Sequence, residues 1–312
     1  MALALYRKYR PEVFGDVVGQ DYVVNILKKS LQKKMISHAY IFNGPKGSGK
    51  TSVAKIFAKT INCESVVEDE ACGKCASCIQ KNSPDIIEID AASNNGVDEI
   101  RELRSNCQLL PTAGNYKIYI IDEVHMLTTG AFNALLKIME EPPKHIVFIM
   151  ATTEINKIPP TVLSRAQRFN FVKIHNEIVY GRLAKINELE KIGATKDVLE
   201  LLSEYADGSL RDAISLLDRV RHLPKLEINE VMKATGITSG VIAQKLDLLI
   251  ANKEIEKLIS LIKEVNENNY DALYIIKLLI KNNEEKLIAL SDDYVGLKKQ
   301  IAFLKELNNI YN

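Results

Sequence analysis

Several things are scarce in this sequence, and each scarcity excludes something. No run of about 18 apolar residues occurs, so no segment is expected to cross a membrane as a helix. The opening "MALALYRKYRPEVF" turns basic and polar after five residues. It has neither the apolar stretch nor the cleavage site of a secretory signal, which makes a cytoplasmic location the expectation. Net charge is almost absent: 41 Lys and Arg against 40 Asp and Glu leave +1. A globally basic nucleic-acid binder is thereby excluded, and any DNA contact must use a local basic face. Internal repeats and low-complexity tracts are also missing, so solenoids and disordered arrays are set aside. What is present is ordinary globular composition, 312 residues with 46 % hydrophobic and 26 % charged. That length suits two or three domains whose cores need no disulfide staples.

Strand-like runs alternate with helical periodicity as far as residue 172, the pattern of an α/β domain with a mostly parallel sheet. Strands are expected at 39–44 (AYIFNG), 86–90 (IIEID), 117–122 (KIYIID), 145–152 (HIVFIMAT) and 167–172 (QRFNFV). Their near-continuous apolar character predicts burial on both faces. Helices are expected at 50–62, 96–108, 130–141 and 160–165, and no strand after 172. A small helical domain follows over 173–237, then a plausible hinge at "GITSG" (236–240), and an all-helical region over 238–312. In that last region Leu246, Leu249, Ile255, Leu258, Ile259 and Ile262 recur at helical spacing, as do Leu273, Ile276, Leu279 and Ile280. Such stripes predict faces used for packing or oligomer contact.

The stretch "GPKGSGKT" (44–51) has the G-x-x-x-x-G-K-[ST] pattern, with a strand expected before it and a helix after it. Gly44, Gly47 and Gly49 let the backbone fold tightly, so the amides across Gly44, Pro45, Lys46, Gly47, Ser48, Gly49 and the following Lys50, Thr51 and Ser52 can surround phosphate. Lys50 is placed to reach the β- and γ-phosphates of ATP, and Thr51 to ligate Mg²⁺. "KIYIIDE" (117–123) pushes carboxylates out at the end of a buried strand, where ligands of open α/β sheets sit. Asp122 is expected in the Mg²⁺ shell, and Glu123 as the group that orients the attacking water.

Four of the five cysteines fall together as Cys63, Cys72, Cys75 and Cys78. In a cytoplasmic chain this spacing reads as metal ligation rather than disulfides. Zinc suits four thiolates in a closed tetrahedron; an iron–sulfur cluster and a redox dithiol are the competing readings. Cys107, alone inside an expected helix, reads as a small buried apolar residue.

"IIDEVHML" (120–127), "LLKIMEEPP" (135–143) and "FIMATTEINKIPPTVLSRAQRF" (148–169), together with the cysteine module at 63–78, resemble the AAA+ ATPase motors of bacterial clamp loaders, most closely the gamma/tau family of DNA polymerase III. The resemblance covers at least residues 3–240. It implies an AAA+ P-loop fold over 1–172 with zinc at the four cysteines, a helical lid over 173–237 and a collar-like oligomerisation region over 238–312. It implies Thr153, rather than Thr152, as the residue that reads the γ-phosphate side, and Arg211 in "GSLRDA" as a lid arginine on the phosphates. It implies that Arg165 in "LSRA" enters a neighbour's ATP site; the family usually has Cys where this chain has Ala166. It implies that "YRKYRPEVFGDVVGQ" (6–20) wraps adenine, with Val17 and Val18 as an apolar wall and Tyr9 or Arg10 at the base. "AASNNGVDEIRELRS" (91–105) corresponds to helix starts that hold the DNA backbone, with Asn94, Asn95, Arg101 and Arg104 as candidates; a capped helix start with an Asp98–Arg101 surface pair explains the same letters.

The function implied is that of the ATP-driven subunit that opens the sliding clamp and loads it on primer–template DNA. Expected partners are delta, delta-prime and further gamma/tau copies, the clamp and DNA, with no membrane. The region ending at Asn312 is shorter than a full collar, so a fragment or minimal form is expected. A branch-migration translocase and a non-catalytic nucleotide-dependent adaptor are the alternatives.

Overall fold

Isoleucine-rich and aromatic runs form the five strands that the hydrophobic pattern predicts, each within two residues of its expected bounds. They are β1 (Ala39–Asn43), β2 (Ile86–Asp90), β3 (Lys117–Asp122), β4 (Ile146–Thr152) and β5 (Gln167–Asn170). All pairings are parallel and the order is β2-β3-β4-β1-β5. The computed structural model describes residues 3–80, 83–237, 240–289 and 294–311, and among them no strand follows Asn170. No helix among the described residues is long and apolar enough to cross a membrane.

Side chains alternate across β3. Ile118 and Ile120 enter one core with Tyr40, Phe42, Val53, Phe57, Val23 and Leu27, while Tyr119 and Ile121 enter another with Ile41, Ile100, Leu103, Phe132 and Leu135. The sheet is therefore covered on both faces, as a parallel sheet requires. Each large apolar side chain so buried contributes about 1.5–3 kcal/mol. Burial on both faces holds for β1, β3 and β4 but not for β2 and β5, which are largely half-buried or exposed. The strand order explains this, because β2 and β5 are the edges and each has a single neighbour.

The expected helices are Lys50–Ile61, Val97–Asn106, Thr129–Glu140 and the short Pro160–Leu163. Asp21–Gln32 is a further helix that the expected elements lack; it buries Val23, Val24 and Leu27 against the sheet. Cys107 is fully buried but caps the helix Val97–Asn106 instead of lying inside it, and burial pushes its thiol up to about 11.

The chain divides into two compact units, Met1–Val179 with Ala206–Asp212, and Tyr180–Tyr205 with Ala213–Asn312. The second is helical, with Lys196–Tyr205, Ile228–Thr235, Gly240–Ala251, Ile255–Glu267, Ala272–Ala289 and Tyr294–Tyr311 among its elements. Thr238 and Ser239, in the expected hinge, lie outside the described residues. Of the expected stripes, Leu246, Leu279 and Ile280 are buried, and Leu249, Leu258 and Ile276 pack partly against that core. Ile255, Ile259, Ile262 and Leu273 are exposed, and Leu261 and Val265 take the buried face of their helix instead. Inside this unit buried Asn283 donates to Asp247 at 3.3 Å and accepts from Gln300. Such a satisfied polar cluster favours one helix register over its neighbours.

A buried carboxylate fixes the loop before β3. Asp85, 1 % exposed, accepts from the amides of Thr112, Ala113 and Gly114 at 2.7, 2.7 and 2.8 Å. Burial alone would raise its pKa, but the three amides outweigh it and the net shift is downward. Its stabilisation is therefore complete above the ordinary carboxylate pKa and is lost as pH falls toward the lower folded value. Asp85→Ala is expected to lower unfolding free energy by about 2–4 kcal/mol at neutral pH, with the difference from wild type shrinking in acid. Urea titrations at two pH values check this, and a constant difference would remove the carboxylate from the account.

Candidate functional site

β1 ends at Asn43, and the glycine-rich loop turns from it into the helix Lys50–Ile61. Two glycines are required by close approach. A Cβ on Gly44 would strike the Phe171 carbonyl, and one on Gly47 would strike the Ser209 hydroxyl. Gly49 has φ +99° and a Cβ there would meet nothing within 4 Å, so the loop is open at that point. As the N-cap it offers no side-chain bond, which leaves the first-turn amides available to an anion. Lys50 is 6 % exposed and its ammonium bonds the Gly44 and Pro45 carbonyls at 2.8 and 2.9 Å. Burial lowers its pKa, opposed by the charges of Glu123 and Asp122. Ser48 closes the loop through a 2.8 Å bond to the Pro45 carbonyl, and Lys46 pairs with Asp212 at 3.7 Å.

The second half of the site comes from the end of β3. Thr51 Oγ1 donates to Asp122 Oδ2 at 2.8 Å, and the Glu123 amide donates to Asp122 Oδ1 at 3.0 Å. A hydroxyl and a carboxylate held together beside the glycine-rich loop are the kind of oxygen donors that Mg²⁺ prefers. Glu123 has φ +47°, a left-handed conformation unusual for this residue type. That turn stops the strand and redirects the carboxylate. Thr153 Oγ1 donates to Glu123 Oε2 at 3.3 Å, so these two expected residues are brought into contact.

His125 is a site residue that the sequence reading does not single out. Its ring, 6 % exposed, lies 3.0 Å from Thr152 Oγ1, 3.4 Å from Glu123 Oε2 and 3.3 Å from Glu154 Oε1. Thr152, fully buried, also accepts from the Glu154 amide at 2.9 Å. Thr152 thus belongs to the frame behind the carboxylates and Thr153 to their side. The signal available was the "DEVH" spacing, which a short turn after β3 folds back on itself.

The turn carrying Arg211 lies with the glycine-rich loop in the first unit, and the Arg211 guanidinium stands 5.4 Å from the centre of the Tyr6 ring. Arg165 is engaged elsewhere: it bonds the Thr161 carbonyl at 2.9 Å and Glu140 at 3.3 Å. In the 6–20 segment, Arg10 donates to Ser52 at 3.1 Å, Tyr9, Val17 and Val18 are half-buried, and Val17 packs on the sheet core. Asn94, Asn95, Arg101 and Arg104 are exposed, with Arg101 paired to Asp98 at 2.9 Å.

The sulfur atoms of Cys63, Cys72, Cys75 and Cys78 all lie within 4.8 Å of one another. Four ligands about 2.3 Å from one zinc ion would stand about 3.8 Å apart, and Cys72 Sγ is 4.0 Å from Cys78 Sγ. The donor set therefore fits a single ion. Amides of Lys74 and Cys75 donate to Cys72 Sγ at 3.4 and 3.3 Å and pull its thiol down to about 6, while burial pushes Cys78 up to about 12.

Residues 19–175 match the family model for the DNA polymerase III delta subunit, and residues 178–220 match the ATPase lid domain of DNA polymerase III clamp loader subunits. The chain is 47 % identical over 282 residues to DNA polymerase III subunit tau of Bacillus subtilis, covering 89 % of this chain and 50 % of that one. It is 37 % identical over 329 residues to DNA polymerase III subunit gamma of Buchnera aphidicola, covering 98 % of this chain and 88 % of the relative. The chain thus spans about half the length of the Bacillus relative. Among solved structures, the RuvB Holliday junction branch migration motor of Thermotoga maritima aligns with TM-score 0.55 and 17 % identity, covering 79 % of this chain and 80 % of that one. That likeness supports the AAA+ fold.

The His125–Thr152–Glu154 frame yields a direct test. Thr152→Val keeps the side-chain shape but leaves the His125 ring and the Glu154 amide short of a partner. Unfolding free energy is expected to drop by about 1–3 kcal/mol in a urea titration; no change would mean that water replaces the hydroxyl.

Proposed function

This chain belongs to the gamma/tau family of DNA polymerase III clamp-loader subunits, and from that premise we propose that it is the ATP-driven motor that opens the sliding clamp and loads it on primer–template DNA. Family membership carries ATPase activity with nucleotide and Mg²⁺ use. The single observation that carries the residue assignment is the 2.8 Å bond from Thr51 to Asp122, which joins the phosphate loop to the acidic strand end.

In this reading the amides from Gly44 through Ser52 and the Lys50 ammonium hold the phosphates, the ammonium exchanging its carbonyl partners for phosphate oxygens. Thr51 and Asp122 would hold Mg²⁺, which would supply charge neutralisation at the phosphates. Glu123 orients the attacking water, and Thr153 and His125 set where its carboxylate points. Arg211 reaches the phosphates from the lid side, and Val17, Val18, Tyr9 and Arg10 flank the base. Arg165 acts on a neighbour's site, which fits its engagement away from its own phosphate loop. Zinc at Cys63, Cys72, Cys75 and Cys78 has a structural role, because four thiolates leave no open position for substrate.

The functional division follows 1–172 for the ATPase domain, 173–237 for the lid and 238–312 for assembly, where exposed Ile255, Ile259 and Ile262 suit subunit contact. The partners are delta, delta-prime and further copies of the family subunit, with the clamp and DNA in the cytoplasm.

The decisive experiment is steady-state ATP hydrolysis with and without primed DNA, clamp and partner subunits. Turnover should rise sharply when all are present; turnover indifferent to every partner would defeat the proposal. Lys50→Ala should abolish nucleotide binding. Glu123→Gln should bind ATP normally while kcat falls roughly 10²–10⁴-fold. Arg165→Ala should keep binding and lose about 10³-fold in stimulated turnover; normal turnover in an assembly of that variant refutes action in trans. Metal analysis should give one zinc per chain, and Cys78→Ser should lose it.

A further inference from the structure

The cysteine module contains a feature that metal binding does not require. Between Cys63 and Cys72, residues 67–70 close a tight turn: the Val67 amide donates to the Glu70 carbonyl at 3.0 Å and the Glu70 amide to the Val67 carbonyl at 2.9 Å. Glu68 and Asp69, at its tip, have φ +50° and +66°. Two successive left-handed residues make the turn shape that closes a two-residue hairpin. The turn holds Glu70 two positions before a cysteine ligand, so the cysteine cluster limits where its carboxylate can go.

That carboxylate reaches across to the N-terminal segment. Glu70 Oε2 accepts from the Phe14 amide at 2.7 Å and Oε1 from the Gly15 amide at 2.9 Å. Lys28 Nζ, 2.9 Å from Oε1, also lies 5.7 Å from the centre of the buried Phe14 ring. Gln32 ties down the neighbouring turn residue by donating to Asp69 Oδ2 at 2.7 Å. Charge-assisted bonds from adjacent amides to one carboxylate fix both the position and the direction of a backbone.

The segment gripped in this way is held at two other places, each on the phosphate-loop side. Arg10 donates to Ser52 in the helix after the loop, and Gln20 donates to the Ser48 carbonyl at 3.3 Å. Gln20 further exchanges bonds with Val172, at 2.7 and 3.1 Å. Phe14 and Gly15 lie between these fixings, with only Asp16 between them and Val17 and Val18. We propose that Glu70 is a positioning residue for the base-binding segment, so that the folded, metal-filled cysteine module and nucleotide affinity are coupled through the Glu70–Phe14–Gly15 contact. This rests on the reading of Val17 and Val18 as part of the nucleotide site. It also supplies a reason for a metal module beside the phosphate loop: the module props the segment that carries Val17 and Val18.

The test uses the whole chain with Glu70→Ala and Glu70→Gln. Three quantities are measured: zinc content, amide exchange at Phe14 and Gly15 without nucleotide, and the Kd of a fluorescent ADP analogue with Mg²⁺. Glu70→Ala should keep its zinc, speed exchange at both amides and raise Kd roughly 5- to 50-fold, an ordinary coupling between sites. Glu70→Gln, which keeps an acceptor, should recover much of the affinity. Stripping zinc from wild type with a chelator should raise Kd similarly, and stripping it from Glu70→Ala should add little, because both act on one contact. Wild-type Kd and exchange in Glu70→Ala would overturn the proposal. So would full additivity of the two perturbations, or equal losses in Ala and Gln variants that have shed zinc. A wild-type chain that binds no analogue would defeat the nucleotide reading instead, and the exchange rates would still report whether Glu70 holds the segment.

Discussion

The hydrogen bond between Thr51 and Asp122 depends on a constraint of parallel sheets: every strand delivers its carboxyl end to the same edge. β1 and β3 are separated by β4, so their ends stand two strand spacings apart, about 10 Å. The glycine-rich loop and the first turn of its helix cross that distance. Lys50, Thr51, Asp122, Glu123 and Thr153 converge without any of them being close in sequence to all the others. The cores on both faces hold β1, β3 and β4 in register, and the site inherits its precision from them.

How much of this was legible in the sequence depends on how local each feature is. The glycine-rich loop, its flanking strand and helix and the cysteine spacing are patterns of short range; strand, loop and helix follow in that order, and the four cysteine sulfurs lie within 4.8 Å of one another. The bounds of the strands were legible because apolar runs ended at polar residues or turns. Their burial was less so: "IIEID" looks as apolar as its neighbours, yet β2 is an edge, and edge position is set by strand order. His125 was hidden for a related reason. Its partners Thr152 and Glu154 lie at the end of the next strand in the sheet and two residues past it, and one chain's letters do not say that β3 and β4 are adjacent.

In the helical unit, spacing identified helices but not which side of each faces inward. Ile255, Ile259 and Ile262 satisfy the same periodicity as Leu258, Leu261 and Val265, and neighbouring helices choose between the two faces. Glu70 shows the opposite bias. An acid within "VVEDEA" reads as part of a solvated excursion, and its bonds to Phe14 and Gly15 come from a fold-back that composition does not encode.

The left-handed backbone at Glu123 has a consequence for evolution. A non-glycine residue in that conformation carries a standing cost of roughly 1–2 kcal/mol, and glycine would relieve it. With Glu123 in the role proposed for it, selection for a sturdier chain and selection for a working one pull position 123 in opposite directions. A copy of this subunit released from catalytic duty, yet still needed for assembly, would be free to drift there toward glycine or asparagine. The residue at that position in a duplicated subunit would then record which copy had kept its chemistry.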